Sequence, residues 1–268
     1  MESSLPSLPT IDFLLEEPPN EHNFTTIQLQ KARVFQKQCL EIWMDKYRHV
    51  KNYPYYLKID HTSRFLVHKS FKAKDALPLW EKFVILRQKY DCDNICEDNI
   101  RNELKSGKAF IHKHNKANAA CIVILVRNHL AHEVEFAELV RFALHLCESA
   151  YEEGKQLSSG KFCLIWWREG FSASLNTSKE LRKKMKELNQ VWEGFYSEKL
   201  DSVYITHVNL FFKVAFALAK PFLSSGFLGK VNILSKSEEL LKYFSKDCLI
   251  KEMGGTSDFQ YKYPPSPL

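Results

Sequence analysis

The sequence predicts an α/β fold in which a helical N-terminal lobe precedes a lobe built on a mostly parallel β-sheet. Two observations predict it. Within residues 28–90, apolar side chains recur every three or four positions, which is typical of amphipathic helices. Beyond about residue 108, short β-branched runs alternate with long amphipathic stretches, as in parallel strands joined by right-handed helical crossovers. We therefore expect a disordered acidic tail (1–27), a helical lobe (28–90) and a sheet lobe (91–268).

The helical lobe is predicted from two long segments with helical spacing of apolar residues. These are QLQKARVFQKQCLEIWMDKY near its start and KAKDALPLWEKFVILRQKY near its end. In the sheet lobe, the first strand is the buried, β-branched run AACIVILV at 119–126. Further runs rich in β-branched and aromatic residues predict strands at 162–167, 202–208 and 231–234.

The helices between these strands are predicted from amphipathic spacing and from end signals. The longest covers 134–154, with Gly154 as its stop. Another begins at Thr177, whose role as N-cap is indicated by Glu180 three residues later, a capping-box pattern. SEELLKYF predicts a last short helix after the fourth strand.

The charge distribution favours anionic partners for the body of the chain. The 268 residues carry a net charge of +6, yet residues 1–30 contain five acids and neither Lys nor Arg. The remainder is therefore more basic than the total indicates, and phospholipid surfaces, phosphorylated headgroups and nucleic acid are all open as partners. Within the tail, IDFLLEEP is either a short docking motif or plain disordered chain.

Cysteine usage and hydropathy indicate a cytoplasmic chain that meets membranes only peripherally. Its seven cysteines are irregularly spaced and no signal peptide is recognisable, so we expect free buried thiols in a reducing compartment. The longest apolar run is far shorter than the ~20 residues of a membrane-spanning helix. The basic run KELRKKMKEL (179–188) is either a solvated helix face or a surface that attracts anionic membranes. It has no aromatic residues between its cations, so nucleic-acid binding is not predicted.

Two segments that resemble enzyme motifs fail on spacing. Gly-Lys in KPFLSSGFLGKVNIL could end a P-loop, but Ser224 occupies the first Gly position and Val231 follows Lys230. His129 and His132 of HLAHE have no third metal ligand at a diagnostic spacing. Exposed loop histidines are the favoured interpretation, and a metal or hydrolase site is the alternative. We therefore expect no catalytic residue, metal or cofactor.

The segment LFFKVAFALAKPFL, from Leu210 to Leu223, is more apolar than an outward-facing helix should be. It is either a buried crossover helix or a lid that is buried in one state and touches a bilayer in another. In the second case Gly226 and Gly229, just beyond, would form its hinge. The apolar side chains concerned are those of Leu210, Phe211, Val214, Ala215, Leu218 and Phe222.

Four stretches, in the right order, resemble the motifs of the CRAL-TRIO family, which includes the yeast secretory phosphatidylinositol-transfer proteins. They are RFLVHKSFKAKDAL, GKAFIHKHNKANAACIVILVRNH, FYSEKLDSVYITHVNLFFKVAFALAKPFL and EMGGTSDFQYKYPP. The resemblance runs from about residue 28 to 263. The chain is particularly similar to the lipid-binding lobe of motile-sperm-domain-containing proteins.

This resemblance implies an apolar pocket floored by the sheet and closed by a gate helix, here Leu210 to Lys220, with GFLGK as hinge. It implies that a monomer holds one hydrophobic ligand, such as phosphatidylinositol, and transfers or presents it between anionic membranes. A non-transferring interaction module on the same fold is the alternative. The family's headgroup positions fall on Glu198, Lys199, Lys230, His68 and Lys69.

The sequence departs from the family at several of these positions. Ser70 stands where a basic residue is usual, and Phe227 where the headgroup Thr is usual. The Asp-Leu-Ser-Gly segment after the second predicted strand is Trp-Arg-Glu-Gly at 167–170. A bulkier, less polar ligand than phosphatidylinositol also fits Phe227, which would then line the pocket.

Overall fold

The computed structural model describes residues 24–50 and 53–264. Most of the predicted acidic tail, including IDFLLEEP, therefore lies outside the described residues. The chain divides into two compact units, one up to Ile85 and one from Leu86 onward. Each unit is described by itself below.

The first unit is helical and is organised around a cluster of buried aromatic rings. Its first helix opens with a capping box, in which Thr25 and Gln28 exchange hydrogen bonds between side chain and backbone. Trp80 is fully buried, and its Nε1 donates a hydrogen bond to the carbonyl oxygen of Tyr56 at 3.2 Å. The helices are α1 (Thr26–Ile42), continued by a π-helical turn over Trp43–Tyr47, then α2 (Tyr53–Leu57), α3 (Ile59–His68) and α4 (Ala73–Lys89), which crosses into the second unit.

The second unit contains a five-stranded sheet whose strands lie side by side in chain order. The first two strands are antiparallel and the other neighbouring pairs are parallel, so the predicted α/β fold with a mostly parallel sheet is confirmed. Each strand run predicted from the sequence forms a strand, with ends that differ by up to three residues. The strands are β1 (Ala109–His114), β2 (Ala120–Leu125), β3 (Phe162–Trp167), β4 (Leu200–Ile205) and β5 (Val231–Ile233).

The helices of the second unit follow the predicted order. The C-terminal segment predicted as an α-helix is instead a 3₁₀ helix over Ser237–Lys242, with further 3₁₀ turns at Lys246–Cys248 and Lys251–Met253. The α-helices are α5 (Arg101–Ser106), α6 (Phe136–Gln156), α7 (Ala173–Asn176), α8 (Lys179–Gln190), α9 (Leu210–Ala219) and α10 (Ser225–Leu228).

Two predicted helix ends are wrong, each for a local reason. Ser178, and not Thr177, is the N-cap of α8, since its hydroxyl accepts the Leu181 N–H at 3.0 Å. Gly154 lies inside α6 and does not end it. A Cβ at that position would lie 2.1 Å from the carbonyl oxygen of Lys161, so this glycine is required by the close approach of the segment that leads into β3.

The two faces of the sheet are covered differently. Side chains alternate between faces along each strand. One face packs under the C-terminal 3₁₀ segment in a single buried cluster that includes Cys121, Val123, Cys163, Ile165, Trp167, Leu240, Phe244, Leu249 and Met253. The opposite face packs against α6 through β2 and β3.

Candidate functional site

On the α6 face, a row of large apolar residues crosses the sheet near the carboxyl ends of its strands. Ile124 is in register with Trp166, Trp166 with Ile205, and Ile205 with Ile233. Ile124 and Trp166 belong to internal strands, yet both are only half-buried. One pleat nearer the amino ends, Ile122 is fully buried. The carboxyl half of this face is therefore an apolar floor on which Ile124, Trp166 and Ile233 are partly accessible, while Ile205 is buried between them.

Helix α9 begins after the four residues that follow β4, and it exposes apolar side chains along its outer face. Leu210 is 77% exposed, Phe211 79%, Val214 53% and Leu218 71%. Scattered exposed apolar residues are normal, but four on one helix form a surface that usually marks contact with a partner or membrane. The interpretation of this segment as a buried crossover helix is therefore wrong.

The inner side of α9 is also apolar. Phe212 and Phe216 are half-buried, and their rings stack with centroids 5.9 Å apart. The helix opens at Asn209, whose Oδ1 accepts the Phe212 N–H at 2.8 Å. Two further predicted gate residues belong to α9 and to the 3₁₀ turn after it, namely Ala215 and Phe222, and their side chains fall outside the described part of the structure.

The predicted hinge glycines lie in and after the short helix α10. Gly226 has helical backbone, and a Cβ built on it would meet no atom within 4 Å. Gly229 caps the helix with φ −63°, an ordinary right-handed value. Neither glycine is thus required by sterics in this conformation. Phe227, between them, is half-buried, and its N–H donates to the Ser224 hydroxyl.

Among the predicted headgroup residues, Glu198 and Lys230 lie together near the amino ends of the strands. The Lys230 ammonium donates hydrogen bonds to the carbonyl oxygens of Ser197 and Leu200, at 2.5 and 2.6 Å. Burial lowers the pKa of Lys230 more than the nearby Glu198 carboxylate raises it. Two of its three N–H donors are thus engaged by the protein itself.

The other three predicted headgroup residues lie elsewhere. Lys199 is buried, and its Nζ donates to the Tyr151 hydroxyl of α6 at 2.7 Å. His68 ends α3 and Lys69 caps it, so both belong to the first unit, where they are half-buried.

The histidines of HLAHE differ from each other. His132 is exposed, as expected. His129 is half-buried, and its Nδ1 lies 3.3 Å from the Nζ of Lys108. Burial and this neighbouring cation lower the pKa of His129 to about 4. Within the ranges 24–50 and 53–264, no three His, Cys, Asp or Glu side chains are grouped in a way that could hold a metal ion.

A separate cavity of about 350 Å³ lies between the edge of the sheet and the C-terminal segment. Its lining includes Phe110, Leu125, Arg127, Ile250 and Tyr261, and no residue of α9. Leu125 belongs to the face covered by the C-terminal segment. The cavity therefore lies on the opposite face of the sheet from the apolar floor.

A comparison with models of protein families decides which family the chain belongs to. A model of the CRAL/TRIO domain matches residues 104–255, more than half of the chain. The chain belongs to the CRAL/TRIO domain family. The resemblance seen in the sequence motifs is thereby confirmed, and the matched range contains the whole sheet, the apolar floor and α9.

Relatives within the CRAL/TRIO family are distant. The SEC14 cytosolic factor of Kluyveromyces lactis is 28% identical over 126 residues, which cover 46% of this chain and 40% of that protein. A CRAL-TRIO domain-containing protein of Schizosaccharomyces pombe is 23% identical over 210 residues, 75% of this chain and 46% of that protein. The chain spans less than half the length of these curated relatives.

A solved structure supports the fold along nearly the whole chain. The crystal structure of Sfh5 matches with a TM-score of 0.58 and 15% identity, over 89% of this chain and 91% of that one. None of the helices in the part of the chain described here is long and apolar enough to cross a bilayer.

Proposed function

We propose that this CRAL/TRIO protein binds a single hydrophobic ligand, a phospholipid or another small lipophile, and transfers or presents it between membranes. The ligand lies on the apolar floor of the sheet, and α9 is the gate above it. The observation on which this rests is the outer face of α9, where four large apolar side chains are 53% to 79% exposed. The lipid-binding character of the family supports the proposal.

The energetics of lipid exchange explain why such a helix is useful. Burial is worth about 0.8 kcal/mol per CH₂, so a 16-carbon chain gains on the order of 13 kcal/mol relative to water. A bilayer offers nearly the same free energy, so net transfer is close to neutral. The protein must instead lower the barrier by covering the tail as it leaves the bilayer. That requires an apolar floor and a gate that contacts the membrane.

Cations flank the exposed apolar face. Lys213 and Lys220 belong to the gate segment and are exposed. Near an anionic bilayer each cation contributes about 1 kcal/mol of attraction. We infer that α9 docks peripherally on the cytoplasmic surface of anionic membranes and that the protein acts there as a monomer, without enzymatic chemistry. Glu198 and Lys230 are the proposed contacts for a headgroup such as that of phosphatidylinositol.

The test is transfer of a fluorescent phospholipid between liposomes by the full chain and by Leu218→Asp. The substitution adds a charge to the exposed face, so the fold should be retained while transfer falls about tenfold or more, because a carboxylate must then be desolvated at the bilayer. Val34→Asp is the matched control, since Val34 is a 55% exposed helical residue of the other unit.

Three results would contradict the proposal or part of it. Unchanged transfer by Leu218→Asp would reject α9 as the gate. Equal loss in the Val34→Asp control would show a general effect of charge. Absence of any copurifying lipid in native mass spectrometry, together with absence of transfer, would favour the alternative of a protein-interaction module that holds no ligand.

A further inference from the structure

The guanidinium of Arg168 is a buried cation without a hydrogen-bonding partner among the described residues. Arg168 follows β3 directly and is 9% exposed. Its Nε is fully buried and makes no hydrogen bond. Its terminal nitrogens make no hydrogen bond or ion pair to the described chain either, but they are not sealed from solvent as Nε is. Buried arginines are normally paired with a carboxylate or a carbonyl oxygen.

A tight turn and the gate helix place this cation between aromatic rings. The Phe171 N–H donates to the Arg168 carbonyl oxygen at 3.1 Å, and Gly170 takes the positive φ of 72° that the turn needs. This turn brings the centroid of the Phe171 ring to 4.3 Å from Arg168 Cζ. On the side of α9, the centroid of the Phe212 ring lies 4.4 Å from Arg168 Cζ.

Aromatic rings stabilise a cation but accept no strong hydrogen bond. The four N–H donors on the two terminal nitrogens of Arg168, which are not sealed from solvent, are therefore available to an acceptor that fits their fork. The neighbouring carboxylate of Glu169 does not supply one, since it accepts a hydrogen bond from Trp167 Nε1 at 3.1 Å and lies 3.7 Å from Arg127. A methionine or leucine would pack between the two rings without the desolvation cost of a charge. Packing alone thus gives no reason for an arginine.

The position of Arg168 matches a ligand site. Arg168 lies just beyond the carboxyl end of β3, beside the half of the sheet where Ile124 and Trp166 are accessible. Arg168 leaves β3 two residues after Trp166, so both side chains lie on the floor side of the sheet. The N-terminal turn of α9, which carries Phe212, adds its partial positive charge.

We propose that Arg168 binds the oxyanion, a phosphate or a carboxylate, of an amphipathic ligand whose apolar part lies on the floor formed by Ile124, Trp166 and Ile205. This rests on the proposed function and names the ligand class: lipids with a negatively charged end. The site lies at the opposite end of the strands from the Glu198 and Lys230 pair, so the two are alternative positions for the charged end of the single ligand.

The experiment compares the full chain with Arg168→Met. Equilibrium uptake is measured from phosphatidylcholine vesicles that contain pyrene-labelled phosphatidic acid, fatty acid or diacylglycerol. Phosphatidic acid and diacylglycerol differ only by the phosphate. We expect Arg168→Met to reduce uptake of phosphatidic acid, fatty acid or both by about tenfold or more, since charge-assisted hydrogen bonds are lost, while diacylglycerol uptake is unchanged.

Two controls sharpen the result. Arg182→Met removes the same charge from the exposed face of α8 and should leave all three uptakes unchanged. Arg168→Lys keeps the charge but not the fork, so it should weaken binding of the acidic lipids and serves as the deciding variant if Arg168→Met does not fold. Thermal unfolding with inorganic phosphate, without lipid, shows whether free phosphate occupies the same site.

The outcomes separate the inference from the function on which it rests. Uptake by Arg168→Met equal to wild type for all three lipids overturns the oxyanion site and leaves the carrier function intact. An equal loss for all three shows a packing residue and also overturns it. If wild type takes up none of the three lipids, transfers no phospholipid between liposomes and copurifies with no lipid, the proposed function fails. In that case stabilisation by phosphate that depends on Arg168 supports an oxyanion site for free phosphate, and its absence ends the proposal.

Discussion

The ammonium of Lys230 donates a 2.5 Å hydrogen bond to the carbonyl oxygen of Ser197, and a second one, at 2.6 Å, to Leu200. These bonds join the start of β5 to the turn that leads into β4. The backbone reinforces the same junction, since the Val203 N–H donates to the Lys230 carbonyl oxygen at 2.8 Å. Lys230, to which the family resemblance gives a role in holding a lipid headgroup, therefore also links β4 to β5 by hydrogen bonds.

Lys230→Ala should consequently change two measurable quantities. Removal of the ammonium leaves two carbonyl oxygens without their donor, which we expect to lower the free energy of unfolding by about 1–3 kcal/mol. Occupancy by anionic phospholipids should fall relative to neutral ones, because the remaining N–H donor is lost with the charge. Urea unfolding measures the first effect, and native mass spectrometry of lipid-loaded protein the second.

Lys161→Ala is the matched control, because Lys161 is an exposed cation near Lys230 that makes no side-chain hydrogen bond to the described residues. It should alter neither stability nor lipid selectivity by much. Equal occupancy across lipid classes for wild type and Lys230→Ala would leave Lys230 with its structural role alone.

Much of the fold could be predicted because the strands are recognisable from their local composition. The run at 162–167 is apolar, aromatic and short, and it forms β3 with those bounds. Helix ends were less predictable. Thr177 and Ser178 are adjacent hydroxyl residues, and only the backbone direction at Ser178 decides which one caps α8. The sequence predicts Gly154 as a helix stop because it does not show the close contact of this glycine with the backbone of Lys161, which forms only in the folded chain.

The candidate site was predictable in part. The apolar character of α9 is visible in the sequence, but periodicity could not decide between a buried and an exposed helix, since both faces carry large apolar residues. Arg168 could not be recognised as a site residue, because its signal is the absence of a partner in space. The only sequence clue was the departure from the family pattern at 167–170. The C-terminal 3₁₀ segment shows tertiary packing that overrides a helical pattern.

The lowered pKa of His129 predicts that the folded protein loses stability in mild acid. Its pKa is about 4 in the folded protein, because burial and Lys108 disfavour the imidazolium, against about 6.5 in the unfolded chain. The unfolded state therefore binds more protons between these values, so stability is full above pH ~6.5 and falls as the pH drops towards ~4, by at most about 3 kcal/mol. Burial lowers the pKa of His112 and His145 as well, with the same sign.

The measurement is the urea midpoint at several pH values between those two pKa values. His129→Gln should flatten the dependence, since one of the histidines with a lowered pKa is removed. His132→Gln replaces an exposed side chain and should leave the slope as in wild type. Identical slopes in all three proteins would show that His129 is protonated as readily in the folded state as in the unfolded one.

Gly226 allows a test of the hinge that leaves the fold untouched. An added Cβ would meet no atom within 4 Å, and alanine favours a helix over glycine by about 1 kcal/mol, so Gly226→Ala should not lower stability. If the gate opens by bending at α10, a stiffer helix should slow lipid transfer between liposomes while equilibrium occupancy is retained. Ser225→Ala, in the same helix, is the control without a glycine change. A Gly226→Ala protein that transfers lipid at the wild-type rate would place the hinge elsewhere, because the only change made is the loss of backbone freedom at this residue.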